Sequence, residues 1–414
     1  MKSFKSAAVA LSMLGALSLG AAEIEVLHWW TSGGEAESVG QLKTMLEKNG
    51  HTWKDFSVAG GNGSNAMTVL KSRVMSGNPP SAAQIKGPSI QEWAKLGVAS
   101  NLDAVAKAHN WDKILPKRFA DTMKYDGHYV AVPVNVHRID WMWVNPSVFK
   151  KSGATIPKTW AEFEVAAKKI KAAGFIPVAQ GGQPWQEATL FETIVLGVGG
   201  SDFYQKALVD LDTKALGSAT MVKAFDTLRM VKSYTDKNAP GRDWNLATAM
   251  VYKGEAAMQF MGDWAKGEFK VAGKKIGTDY VAVDAPQTEG AYIYNIDSFV
   301  MFKQDDASKA KGQEKLAELI LSEEFQVIFN TRKGSIPVIE GLSKSKFDSI
   351  AVKSMDDMIA ASKAGTLLPS MAHQMAIPDA IKGAIVDVVT NFYNSDMSSD
   401  KAVKDLVTAV KNEK

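Results

Sequence analysis

Two adjacent tryptophans, Trp29 and Trp30, end the first predicted strand, Ile24 to Trp29, and Ser32-Gly33-Gly34-Glu35 follows them. Flat indole rings at a strand's carboxyl end, beside an open glycine turn, suit a surface that grips the apolar face of a small polar molecule. Core packing is the weaker explanation, because consecutive strand residues point to opposite faces and cannot both enter one core layer. Glu35 reads two ways, as an acid favoured by the positive end of a helix dipole or as a hydroxyl-accepting carboxylate at a pocket rim. Asn295 and Asp297 flank Ile296 inside an apolar strand, so an amide and a carboxylate project from one face. Buried polar groups need partners, and a ligand is the readiest partner for this pair. Trp264 lies in Met261-Gly262-Asp263-Trp264, just beyond the strand-like Ala256 to Phe260. In a Gly-Asp turn at a strand's end its ring is expected to face a cleft.

Three cationic or titratable side chains stand at comparable places. Lys86 closes the short strand signal Ala83 to Lys86 and precedes Gly87-Pro88; Lys333 precedes Gly334 after a long helical stretch. Lys333 also reads as a helix C-terminal cation, which the dipole favours. His373, in Met371-Ala372-His373-Gln374, reads on its own as a packed or surface histidine. Gly61-Asn62-Gly63-Ser64-Asn65-Ala66 matches the G-x-G-x-x-A dinucleotide pattern between a strand and a helix. No Asp or Glu occurs from Gly61 to Gln91 to hold a ribose, so it reads as a plain glycine turn. Walker loops, G-x-S-x-G elbows and H-E-x-x-H pairs are missing, and the six histidines are scattered without metal-ligand spacing. Neither a metal nor a cofactor is expected.

Composition narrows the class further. Lys2 and Lys5, the apolar run Ala7 to Leu19, and the small residues Gly20 and Ala22 form a secretory signal over residues 1–22. The run is too short and Ser-interrupted for a membrane span, and no later segment has a span's length and apolarity. A soluble exported protein of a periplasm-like space is expected. Cysteine is absent, so neither disulfides nor thiolate chemistry is available, and stability must come from size. The formal charge is only +3 over 414 residues, and Lys alternates with Asp and Glu along Lys309 to Glu324. That is a solvated helix face rather than a nucleic-acid footprint, and near-neutrality fits a neutral ligand. Eleven tryptophans, several in polar or turn contexts, are many for such a chain.

The elements that must position these residues alternate. Strands are expected at Ile24 to Trp29, Thr52 to Ala59 and Ala83 to Lys86, and helices at Glu35 to Lys48, Asn65 to Ser76 and Ser89 to Leu96. This βαβαβα order implies an α/β fold with a mostly parallel sheet, whose ligands gather beyond the carboxyl ends of the strands. Tyr125-Asp126-Gly127-His128 signals a tight hairpin, continued by a strand from Tyr129 to Asn135 through Pro133. Thr159 and Glu162 form a capping box opening the helix Trp160 to Ala173. Further helices are expected at Pro184 to Leu196, Ser218 to Tyr234, Trp244 to Lys253 and Ala307 to Asn330. Tyr292 to Phe302 is strand-like, and Ser335 to Ile339 a short extended piece. Ser399 to Lys414 ends the chain as a helix with Val403, Leu406, Val407 and Val410 on one face. Two α/β lobes result, joined by crossings near Pro133, Asn295 and Ser335. The first comprises 23–133 and 298–334, and the second 134–297 and 335–414. Several crossings restrict a hinge to closure around a ligand.

With these pieces in place, the mature chain resembles the periplasmic sugar-binding proteins of ATP-driven importers, the group typified by maltose-binding protein, and within it the glucose/mannose-binding members. The residues that carry the likeness are Ile24 to Trp30 with Gly33-Gly34-Glu35, Tyr129-Val-Ala-Val-Pro133-Val-Asn, Ile156-Pro-Lys-Thr-Trp160-Ala-Glu-Phe, Gly254 to Ala265 with Gly262-Asp-Trp264, and Lys333-Gly334-Ser-Ile-Pro337-Val. The resemblance implies a monosaccharide ligand, most readily glucose, held between two lobes of a monomeric receptor that serves membrane permease subunits. It implies Trp30 and Trp264 as stacking platforms, with Trp29 shaping the pocket. Glu35 and Asp297 would accept hydroxyl hydrogen bonds, Asn295 would donate and accept, and Lys86, Lys333 and His373 would donate. Trp185, after Gly181-Gly182-Gln183, is a further candidate from the second lobe. Sugar hydroxyls both donate and accept, which suits this mixture. Other hexoses or an oligosaccharide on the same fold remain alternatives. So does a glycosidase using Glu35 and Asp297 as its carboxylate pair, which would have to straddle the scissile bond.

Overall fold

The computed structural model describes residues 21–414. The expected leader therefore lies outside the described residues except for its last two positions. Ala22 is buried, and its carbonyl accepts the Thr52 N–H at 2.9 Å.

In the first lobe β1 (Glu23–His28) runs parallel to β2 (Thr52–Ser57) on one side and β3 (Ala82–Gln84) on the other. As a central strand it carries the apolar run Ile24, Val26 and Leu27, fully enclosed. Helices Gly33–Lys48, Ser64–Met75 and Pro88–Lys95 follow these strands in turn. The strand stops at His28, so both tryptophans lie in the loop beyond it rather than at its end. β4 (Lys124–Tyr125) and β5 (His128–Tyr129) form the expected hairpin, with Asp126 at φ 50° and Gly127 at φ 80°, the left-handed pair that a two-residue turn demands. The following strand, β6 (Ala131–Arg138), is separate from it and buried throughout.

The second lobe has its own sheet, built from β7 (Trp141–Val144), β8 (Ile176–Val178), β9 (Ala256–Phe260) and β10 (Val281–Asp284) in the order β10-β7-β9-β8. Helices Trp160–Ala172, Pro184–Tyr204, Ala219–Lys232, Asp379–Tyr393 and Ser399–Glu413 contribute side chains to its core. Thr159 caps the first of these by accepting the Glu162 N–H at 3.1 Å. Glu162 in return accepts from the Lys158 N–H, one residue short of the full capping box.

The lobes are tied by β11 (Tyr292–Met301), which pairs with β6 along one edge and with β3 and β12 (Leu367–Pro369) along the other. β11 supplies Ile293 to the second core and Phe299 and Val300 to the first. Ile336 bridges to Val136 on the free edge of β6, with N–H···O distances of 2.9 and 3.0 Å. The three expected crossings are thus three adjacent extended segments. Three further expected elements differ. Ser335 to Ile339 reduces to that single bridge, and the helix from Pro184 runs past Leu196 to a break at Gly200 (φ 78°), beyond which a helical turn continues to Tyr204. Ala307 to Asn330 is two helices, Ala307–Ile320 and Glu323–Lys333, because Ser322 caps the second by accepting the Phe325 N–H, followed by two acids in its first turn.

Candidate functional site

A cavity of about 300 Å³ lies between the lobes at the carboxyl ends of the first-lobe strands, and all nine expected site residues line it. So does Trp185. The floor is set by the pairing of β11 with β6, which places Asn295 opposite His137 and Asp297 opposite Asn135. Asp297 Oδ1 accepts from Gln84 Nε2 at 3.2 Å and faces Lys86 Nζ at 3.6 Å, while Oδ2 lies 3.0 Å from His137 Nε2. The other ring nitrogen of His137 bonds to Asp263, whose second oxygen accepts the Arg138 N–H at 3.0 Å. Asn295 Oδ1 is buried and has no hydrogen-bond partner among the described residues. An unpaired buried acceptor in a cavity wall is an offer to a ligand donor.

Glu35 stands in the first turn of the helix Gly33–Lys48, and Lys333 is the last residue of Glu323–Lys333, ahead of Gly334 at φ 97°. Lys333 Nζ donates to Glu35 Oε1 at 2.9 Å. Each residue thus complements its helix dipole and also reaches the cavity. Lys333 Nζ also lies 6.0 Å from the ring of Trp30 and 6.0 Å from that of Trp264, so it sits between tryptophans of the two lobes.

The aromatic walls differ from one another. Trp30 is 2% exposed, edge-on to Phe299 at 5.6 Å and tilted against Phe329 at 5.3 Å. Trp29 is sandwiched: Lys86 Nζ lies 5.1 Å from its ring centroid, and a Cβ on Gly63 would come within 2.8 Å of its ring atoms. Both rings join the first core as well as the cavity. The expectation that strand alternation keeps the pair out of one core is corrected here, because beyond His28 the two-residue period no longer applies. Trp264 from the second lobe packs over Gly262 and meets His137 edge-on at 5.2 Å, His373 at 5.0 Å and Trp185 at 6.3 Å. His373 lines the wall with both nitrogens engaged, one with Asn62 Nδ2 at 3.0 Å and the other with Thr189 Oγ1 at 2.9 Å. Asn62 Oδ1 accepts from Lys86, so its Nδ2 is the donor to His373.

Burial and the surrounding charges set the protonation states. Burial, reinforced by Lys333 and Lys382 against Asp297, pulls the Lys86 ammonium down to about 8. Burial alone would raise Asp297, but Lys86, His137 and Lys333 outweigh it and hold the carboxyl well below its ordinary range. The two directions agree physically: one acid sits among three cations, whereas Lys86 has one acid and further ammoniums around it. Burial, with Lys86 and His137 nearby, drives His373 well below the usual histidine range and keeps it neutral.

Sequence reasoning missed His137, Asn62 and the mouth residues Gln183, Asp243, Trp244 and Asn245. His137 was within reach: Asn135 and His137 alternate on β6 as Asn295 and Asp297 do on β11. Asn62 sits in the glycine turn at φ 48°, a conformation asparagine tolerates, and nothing local marks its side chain as cavity-facing.

Comparisons with known proteins place the chain in a family. The family model described as "Bacterial extracellular solute-binding protein" matches residues 33–327. A "Probable sugar-binding periplasmic protein" of Brucella suis biovar 1 (strain 1330) is 50% identical over 387 residues, 94% of this chain and 91% of its own. One of Rhizobium meliloti (strain 1021) with the same name is 48% identical over 410 residues, 99% of each chain. Among solved structures, a chitin oligosaccharide binding protein superposes with a TM-score of 0.79 at 20% identity, covering 95% of this chain and 98% of its own. At that identity the likeness speaks for the fold alone. The chain belongs to the bacterial extracellular solute-binding protein family.

Proposed function

We propose that this protein captures one monosaccharide, glucose foremost, between its lobes and delivers it to the membrane subunits of an ATP-driven importer. On this reading it works as a monomer in the periplasm after a leader ending at Ala22 is removed. Its lobes are 23–133 with 298–334, and 134–297 with 335–414. The observation that carries the reading is one cavity where tryptophans of both lobes meet the pairs Glu35–Lys333 and Asp297–Lys86 and an unpaired amide oxygen on Asn295. Indole faces suit the C–H faces of a pyranose. Ionised donors and acceptors suit hydroxyls, which are both at once, and charge-assisted bonds are the stronger kind.

A glycosidase would keep one carboxyl protonated for the leaving group. Asp297 is instead held ionised by its cations and Glu35 is paired with Lys333, an arrangement for binding. Calorimetric titration with glucose, galactose, mannose and maltose, alongside tryptophan fluorescence, tests the reading. Glucose is expected to bind best and to change the fluorescence; no heat with any of the four refutes it.

A further inference from the structure

We propose that His137 is the positioning residue of this site: lodged between Asp263 and Asp297, its ring aims the Asp297 carboxylate into the cavity and locks the loop bearing Trp264 onto the crossing strands. The inference rests on the sugar-binding reading given above. Its first support is geometric. Each ring nitrogen faces a different carboxylate, Nδ1 that of Asp263 and Nε2 that of Asp297 at 3.0 Å. Nε2 also lies 2.9 Å from the Asn135 amide, whose Oδ1 has no partner among the described residues; turned to present that oxygen, the amide accepts from a protonated ring as well. A neutral imidazole has one N–H and could serve only one of the two carboxylates, whereas the protonated ring serves both.

The second support is the anchoring of Asp263. Its backbone N–H donates to the Arg138 carbonyl at 3.0 Å, and its Oδ2 accepts the Arg138 N–H at 3.0 Å. The loop that presents Trp264 is thus fastened to β6 at the residue next to His137, and the Trp264 ring meets His137 edge-on at 86°. The titratable and charged groups facing His137 come from several elements: Asp263 from the loop after β9, Asp297 from β11, Lys333 from the helix ending there, Lys86 and the neutral His373 across Asp297, and Arg138 beside it on β6. Burial opposes a charged ring here, but Asp263, aided by hydrogen bonds to both carboxylates, outweighs burial and Lys333, and the pKa of His137 is raised. With His137 protonated, the cations Lys86, Lys333 and His137 match the anions Glu35, Asp263 and Asp297 in number, so these six groups together carry no net charge.

Imidazole ¹⁵N NMR of the sugar-free protein, combined with calorimetric glucose titration of wild type, His137→Gln and Asp263→Asn, tests this. The ring is expected to be doubly protonated at pH 7, with a pKa that falls in Asp263→Asn. Folded His137→Gln should bind glucose about ten- to a hundredfold more weakly, the scale of leaving a buried charged acceptor without its partner. Should His137→Gln fail to fold, Asp263→Asn carries the affinity measurement, with a loss again expected. A neutral ring at pH 7, an unmoved ring pKa in Asp263→Asn, or wild-type affinity in the folded variant overturns the proposal. If wild type binds no hexose, the sugar reading falls, while the NMR arm still decides the state of His137.

Discussion

Replacing Trp264 and Trp30 by alanine, one at a time, separates binding from packing. Trp30 is enclosed by Phe299 and Phe329 and only 2% exposed, so its removal leaves a hole in the first core. Aromatic-to-alanine changes in cores cost about 3–5 kcal/mol. A loss of that size in one lobe lowers the melting temperature by on the order of 10 °C. Trp264 is 6% exposed but borders the cavity, and the space it vacates opens to water, so its stability cost belongs at or below the low end of that range. Its loss in binding should exceed that of Trp30→Ala. Aromatic stacking on a flat ligand is worth roughly 1–3 kcal/mol, and 2 kcal/mol is about a thirtyfold weaker Kd. Calorimetric glucose titration and differential scanning calorimetry on both variants read the two quantities separately. Wild-type affinity in Trp264→Ala would refute the placement of the stacking ring. An unchanged melting temperature with abolished binding in Trp30→Ala would transfer that role to Trp30.

Gly262→Ala should weaken glucose binding about tenfold without touching the sugar, because the new Cβ would lie 2.3–2.7 Å from three atoms of the Trp264 ring and force it aside; unchanged calorimetric affinity and near-UV circular dichroism would contradict this. Sugar affinity should hold through neutral pH and fall as pH rises through about 8, where Lys86 loses its proton; in Lys86→Gln, weak throughout, this component of the pH profile should vanish. Burial lifts Glu192 to about 7, against hydrogen bonds from Ser370 Oγ, the Ala372 N–H, Tyr204 and the Met371 N–H. The folded state therefore holds a proton that the unfolded state releases above its ordinary carboxyl pKa. Stability from this group is full below about 4.5 and is lost as pH rises through 7, by up to roughly 3 kcal/mol. Denaturant unfolding of wild type against Glu192→Gln at pH 4.5 and pH 8 should show that difference, and parallel pH profiles would refute it.

Much of this site was legible because its residues sit at positions with local signatures. Asn295 and Asp297 are two apart in an apolar strand, Glu35 follows a glycine pair, and Lys333 precedes the glycine that ends its helix. Each signature reports a strand face or a helix end, which sequence expresses directly. What stayed hidden depends on pairing. Asn135 and His137 offered the same alternation as Asn295 and Asp297, but that their face meets the cavity follows from the register that sets His137 opposite Asn295, which the whole sheet decides. Trp30 is the opposite case. Its position looked ligand-facing, but the partners that enclose it, Phe299 and Phe329, come from β11 and a helix some 270 to 300 residues away. The break at Ser322 was written plainly as Ser-Glu-Glu-Phe, a cap followed by acids, yet the apolar stripe running across it masked the boundary.

The contact between the lobes beside the site is made largely of backbone. A Cβ on Gly34 would lie 2.8 Å from the Gly267 carbonyl carbon, and one on Gly334 would lie 2.3 Å from the Asp263 carbonyl oxygen. Across the same contact the Gly34 N–H donates to Glu268 Oε1 at 2.8 Å, so an acid of the second lobe caps the first-lobe helix that presents Glu35 one residue later. Closely packed backbone tolerates few alternative arrangements, and such an interface is either made or broken. On the proposed reading, a sugar held by Glu35 and Asp297 would favour the made state only through what it gained from Trp264 and Trp185 on the other side, since a ligand shifts an equilibrium by its differential contacts alone. A ligand bulky enough to keep Gly34 from Gly267 forfeits the helix cap together with the Trp264 contact. On that reading size would be selected at the lobe contact, and hydroxyl pattern inside the cavity.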